Sequence, residues 1–203
     1  MHRVTARCCI LLLGVSFCGL PVKSAIAADD DKRPICSIAA ISNPYITTLS
    51  AKELGERSWL AGSSPVGLRN AITAVESMKP DAFVVLGSLT WTGSDADFKR
   101  LKTYFTEIDV PLYLVPGPRD LVDGGLDRFR RHFPKQQGEI SSVRVRGVHL
   151  QLASPLSQRT PSTEAKRLEW MEQDLEQAGD ARAVLQLGGL GYPASKPPIP
   201  ARP

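Results

Sequence analysis

From Ile35 onward, short apolar runs take turns with longer stretches in which apolar residues recur every three or four positions, the signature of strands alternating with helices. Residues 35–41 (ICSIAAI) predict a buried strand. Ser64-Pro65 predicts a helix start, with the serine oxygen as cap and proline in the first turn. Val66, Arg69-Asn70, Ile72 to Val75 and Met78 carry that helix to Lys79-Pro80, where proline stops it. Ala82 to Leu86 is apolar on both faces, as a parallel strand covered by helices should be. Ser94 caps a second helix with Phe98, Leu101, Tyr104-Phe105 and Ile108 at helical spacing. Pro111 to Val115 predicts a third buried strand, and Leu121 to Phe133 a short third helix.

Val143 to Ala153 switches to alternation around Gly147, in the manner of a hairpin or two sequential strands. Helix returns from Thr163 to Ala178, with Leu168, Met171 and Leu175 on one face and Gly179 as terminator. Ala183 to Leu187 is one more buried strand. The order is that of an α/β protein, and there is no internal repeat. Residues 193–203 hold five prolines and cannot continue a helix or a sheet, so they are expected to form an exposed tail.

The N-terminal segment follows different rules. Residues 1–27 carry Arg3, Arg7 and Lys23, no acid, and an apolar run from Cys8 to Leu20 that closes at Ala25-Ile26-Ala27. Basic start, apolar middle and small-residue cleavage site are the three parts of a secretory signal. The apolar run is shorter than the roughly 20 residues needed to span a bilayer. Secretion or a periplasmic location is therefore expected, with no membrane attachment after cleavage. Residues 28–34 (ADDDKRP) then form a charged linker, and residues 35–192 a single domain.

Cleavage changes the charge picture. The 203-residue precursor has 25 basic and 21 acidic residues and a pI near 9.0; without the leader 22 basic residues remain, a net charge of +1. That balance, with no basic patch interleaved with aromatics, argues against a nucleic-acid partner. Of four cysteines only Cys36 survives, so no intrachain disulfide is possible, and its place in a buried strand predicts an inert thiol.

Several predicted strands end in glycine or polar clusters, where open α/β sheets place their ligands. These ends are Ser42-Asn43-Pro44-Tyr45, Gly87-Ser88, Gly117-Pro118-Arg119-Asp120 and Gly188-Gly189. In order and interval they resemble the blocks of the calcineurin-like metallophosphoesterases. Pro80 to Gly87 looks like the family's second block and Leu112 to Gly117 like its third. Glu169-Trp170-Met171 with Asp174-Leu175 is similar to the helix preceding the next active-site strand. The resemblance implies mixed β-sheets flanked by helices, with the second sheet incomplete because the family's last block has no counterpart.

The family holds two divalent metal ions, and a metal-bound hydroxide attacks phosphorus. Set against that pattern, this chain departs at nearly every ligand. Asn43 and Tyr45 stand where the resemblance implies aspartate and histidine, and Ser88 where it implies the bridging aspartate. Pro118 and Arg119 replace asparagine and the catalytic histidine, and Gly188 replaces a further histidine. Asp120 alone is retained, either holding the Arg119 guanidinium or serving as a turn aspartate. Only His132 and His149 follow the leader; His149 reads as a strand side chain and His132 as a solvated helix end.

The residues thus point to a pseudoenzyme with no metal cofactor and no catalytic residue. Its expected ligand is a phosphate-type anion bound by Arg119, the Ser88 hydroxyl and backbone N–H groups near Gly87 and Gly117. Two alternatives stand beside it: a residual metal-dependent phosphoester hydrolase, and a truncated gene product without independent function. A protein covering the open sheet edge is the other expected partner. Other constellations are poorer. Gly188-Gly189-Leu190-Gly191 lacks the lysine of a phosphate loop, and no histidine is placed to activate Ser42, Ser88 or Ser154. Trp170 fits a helix's core face; Trp91, following the Gly87-Ser88 turn, reads as core or as a pocket wall.

Overall fold

The computed structural model describes residues 9–12, 35–136, 138–154 and 161–188. The expected linker and proline-rich tail, and all but residues 9–12 of the expected leader, lie outside them. The chain is a mixed α/β protein with two small sheets flanked by helices. The first sheet is all parallel in the order β1 (Cys9–Leu12), β2 (Ser37–Ser42), β3 (Ala82–Leu86) and β4 (Leu112–Val115). The second pairs β5 (Ile140–Val145) antiparallel with β6 (Val148–Ala153), and β6 parallel with β7 (Ala183–Gly188). Arg146 and Gly147, both with positive φ, form the two-residue turn between β5 and β6.

Alternation along the parallel strands assigns each face to its own core. Ala39, Ile41, Phe83, Val85 and Leu114 face the helices α2 (Trp59–Met78), α3 (Asp95–Tyr104) and α4 (Gly125–His132), against Leu68, Val75, Phe98, Leu101 and Phe129. Ile38, Ala40, Ala82, Val84 and Val115 face the second sheet, against Val148, Leu150, Leu152 and Leu187. Residues of both strand faces are therefore buried, as the continuous apolar runs require. Cys36, directly before β2, is fully buried.

The first long helix starts earlier than expected. A four-residue helix α1 (Ala51–Leu54) opens at Ser50, where the serine oxygen and Glu53 form a reciprocal cap, and α2 begins at Trp59. Ser64-Pro65 is not its start: Pro65 lies inside the helix. An interior proline costs about 3 kcal/mol, yet beginning at Ser64 would forfeit the burial of Leu60, worth about 1.5–3 kcal/mol, along with the helical hydrogen bonds before it. The helix stops as expected at Lys79, which adopts the left-handed conformation before Pro80.

Ser94 caps α3 as expected, its hydroxyl accepting from the Asp97 N–H at 3.2 Å. His132 departs from its expected exposure. It stacks on Phe98, with ring centroids 5.9 Å apart, and its Nε2 lies 3.0 Å from Asp95.

The last helix, α5 (Pro161–Ala178), also differs in what it buries. Leu168 and Leu175, expected on the core face, are 59% and 46% exposed. The helix instead turns Asp174 onto the outer face of the second sheet. There the carboxylate accepts from the Ser142 hydroxyl at 2.5 Å and the Gln151 amide at 3.0 Å, and meets His149 Nε2 at 2.6 Å. His149 is a strand side chain, as expected, and is buried. Burial works against the Asp174 charge, but donation from Ser142, His149 and Gln151 outweighs it and holds the carboxyl below the usual range.

Candidate functional site

Parallel pairing of β2, β3 and β4 brings three of the four expected strand ends to one edge of the first sheet. The loop after β2 is locked to the loop after β3. The Asn43 N–H donates to Leu86 O at 2.9 Å, Asn43 Oδ1 accepts from the Ser88 N–H at 2.7 Å, and the Ile46 N–H donates to Leu89 O at 3.0 Å. Asn43 and Tyr45 both take positive φ there. Asparagine tolerates that region; for tyrosine it is uncommon, and the surrounding bonds fix it.

The loops after β3 and β4 approach backbone to backbone. A methyl group on Gly87 would lie 2.0 Å from the Gly117 nitrogen, and one on Gly117 would lie 2.6 Å from the Gly87 carbonyl carbon. Both glycines are therefore required by packing. Their N–H groups are also spent within the fold. That of Gly87 donates to Val115 O at 2.7 Å, and that of Gly117 donates to Asp120 Oδ2 at 2.7 Å. The anion donors expected at these two residues are thus occupied, as is the Ser88 N–H.

Asp120 serves as the turn aspartate rather than as a partner for Arg119. Fully buried, its carboxylate accepts from the N–H groups of Leu89, Thr90 and Gly117 and from the Thr90 hydroxyl, all at 2.7–2.8 Å. Burial pushes this carboxyl above the usual range, against the pull of those four donors. Asp97, also buried, ties the neighbouring loops in the same way, accepting from both Thr48 and Thr92.

Arg119 turns outward and lies on an aromatic ring. Its guanidinium carbon is 3.6 Å from the centroid of the Trp91 indole, and its Nη1 donates to Trp91 O at 3.3 Å. Arg57, 5.0 Å from the same centroid, brings a second guanidinium to that indole. Tyr45 meets Trp91 edge-on at 5.8 Å. Neither arginine makes an ion pair among the described residues. Trp91 is a partly exposed platform for two cations. Arg57 carries no sequence signal for this role: it stands in a short turn between α1 and α2, and only tertiary contact brings it to Trp91.

Beside this platform lies a cleft of about 430 Å³ at the end of β2, whose walls include Asn43, Tyr45, Trp59, Ser63, Ser64 and Gly67. Gly188, the fourth expected strand end, belongs to the second sheet. It packs so closely against Ala153 that a side chain would strike the Ala153 oxygen. The adjoining Ser154 hydroxyl donates to Pro116 O, which links that end to β4.

These donors do not fit a pair of divalent ions, which need several hard donors and a bridging carboxylate. The Asn43 oxygen is taken by Ser88, the Asp120 carboxylate is saturated by four donors, and two guanidiniums add positive charge at Trp91, just after the end of β3. Among the described residues, no three His, Cys, Asp or Glu side chains converge as a metal site.

No protein-family model matches the chain. It is 23% identical over 124 residues to the probable glycerophosphodiester phosphodiesterase GpdQ of Arcobacter nitrofigilis, a match covering 58% of this chain and 45% of that protein. The chain thus spans less than half the length of the curated relative it matches. A solved structure, TT1561 of Thermus thermophilus, superposes with a TM-score of 0.45 at 17% identity, over 73% of this chain and 66% of that one. The curated match is a distant likeness to a phosphodiesterase, in keeping with a metallophosphoesterase-type scaffold.

Proposed function

We propose that this chain is an exported pseudoenzyme on a metallophosphoesterase-type scaffold, binding a phosphate-type anion without turning it over. The observation that carries the reading is the Trp91 platform. Two guanidiniums share one indole without an acidic partner among the described residues, at the strand edge where an α/β sheet holds its ligand. Bringing two like charges together is unfavourable unless an anion joins them. A phosphate can accept bidentately from guanidinium groups, which makes Arg57 and Arg119 its recognition elements. The Ser88 hydroxyl remains a further candidate donor, whereas the backbone N–H groups of Gly87 and Gly117 no longer are.

Fixed guanidiniums bind an anion but supply neither a metal-activated nucleophile nor a general base, so binding without hydrolysis is the expected behaviour. Export rests on the pattern of residues 1–27. The name of the distant relative favours a second reading, a residual phosphodiesterase; the donor set argues against it. Incubating chelator-stripped and manganese- or zinc-reloaded protein with a phosphodiester distinguishes the two. Metal-dependent cleavage would replace the binding reading.

A further inference from the structure

We infer that the cleft beside the Trp91 platform is a ring-binding subsite, so that the preferred ligand is a phosphomonoester of a flat ring and not inorganic phosphate. This deepens the anion-binding reading and rests on it. Tyr45 connects the cleft to the platform. Tyr45 lines the cleft and touches Trp91 edge-on at 5.8 Å, and Trp91 in turn carries the Arg57 and Arg119 guanidiniums at 5.0 and 3.6 Å. A ligand with its phosphate at the guanidiniums therefore has a cavity within reach for the group it esterifies.

The lining states what that group should be. Trp59 and Tyr45 give the cleft two aromatic walls suited to stacking. Ile41 and Leu68 contribute apolar surface, while the Ser63 and Ser64 side chains and Asn43 place polar groups beside it. A volume of about 430 Å³ is within the usual range for small-molecule sites, about 300–1,000 Å³. Among the described residues the cleft walls hold no arginine or lysine, so the charged recognition stays at the platform and the cleft reads the neutral half of the ligand.

The test is calorimetric titration of the chelator-treated full chain with inorganic phosphate and, separately, with phenyl phosphate. Phenyl phosphate should bind at least about tenfold more tightly, a difference of about 1.4 kcal/mol. Trp59→Ala and the cleft-filling Ser63→Phe should each reduce it to the affinity of inorganic phosphate. Equal affinities in the unaltered protein overturn the subsite while leaving anion binding in place, and this comparison needs no variant to fold. Absence of binding by either ligand overturns both proposals.

Discussion

Gly87 and Gly117 occupy one another's side-chain space: each would place a Cβ within 2.6 Å of the other's backbone. Two glycines separated by a helix and a strand are thus a single packing unit that joins the ends of β3 and β4. Gly87→Ala and Gly117→Ala should each destabilise the protein by roughly 1–3 kcal/mol or more, because the obstructing atoms are backbone and cannot rotate away. Denaturant titration measures this; an alanine variant as stable as the parent would contradict the contact.

Asp120 holds the same junction from beneath. Asp120→Ala leaves the N–H groups of Leu89, Thr90 and Gly117 without their acceptor in a buried place. An unsatisfied buried donor costs about 1–3 kcal/mol, so the loss should exceed that of any one of these three hydrogen bonds alone. Hydrogen exchange at these three amides should accelerate together in the variant. Unchanged protection would show that the carboxylate is dispensable.

Asp174 fastens α5 to the second sheet and gives that contact a pH dependence. Because its folded-state pKa is depressed, its stabilising effect is fully present above the unfolded value of about 3.9 and is lost as pH falls through the folded pKa. Asp174→Asn should therefore be less stable by roughly 1–3 kcal/mol at pH 7, with the gap narrowing at strongly acidic pH. Thermal melts of both proteins between pH 7 and pH 2 read this directly. A gap that widens on acidification would reverse the assignment.

Export makes a simple mass prediction. Expressed with its leader in a secreting bacterial host, the protein should be recovered outside the cytoplasm with a new N-terminus at Ala28, the residue after Ala25-Ile26-Ala27. Intact-mass spectrometry distinguishes this from the full precursor. The processed chain would lack β1, leaving β2 as the edge of the first sheet. Recovery of the unprocessed chain from the cytoplasm would refute the leader reading.

The buried strands β2, β3 and β4 were legible because a parallel strand covered on both faces must be apolar throughout, and the β5–β6 turn because alternation breaks at Gly147. Pro65 misled because proline in a first turn and proline tolerated inside a helix look alike in sequence, and the burial of Leu60 that decides between them is tertiary. Leu168 and Leu175 follow helical spacing, but that spacing cannot reveal that the sheet face beneath α5 carries His149 and Gln151, which draw Asp174 inward instead. At the site, loop positions could be read from strand ends. The pairing of Arg57 and Arg119 on Trp91 could not, because three separate loops supply it.

The most direct test of the account is a phosphate titration of chelator-treated protein, repeated with Arg119→Ala. Saturable binding is expected in the absence of any divalent ion, weakened about tenfold or more when the guanidinium is removed. Binding that is indifferent to Arg119, or that emerges only after manganese or zinc is restored, would contradict it.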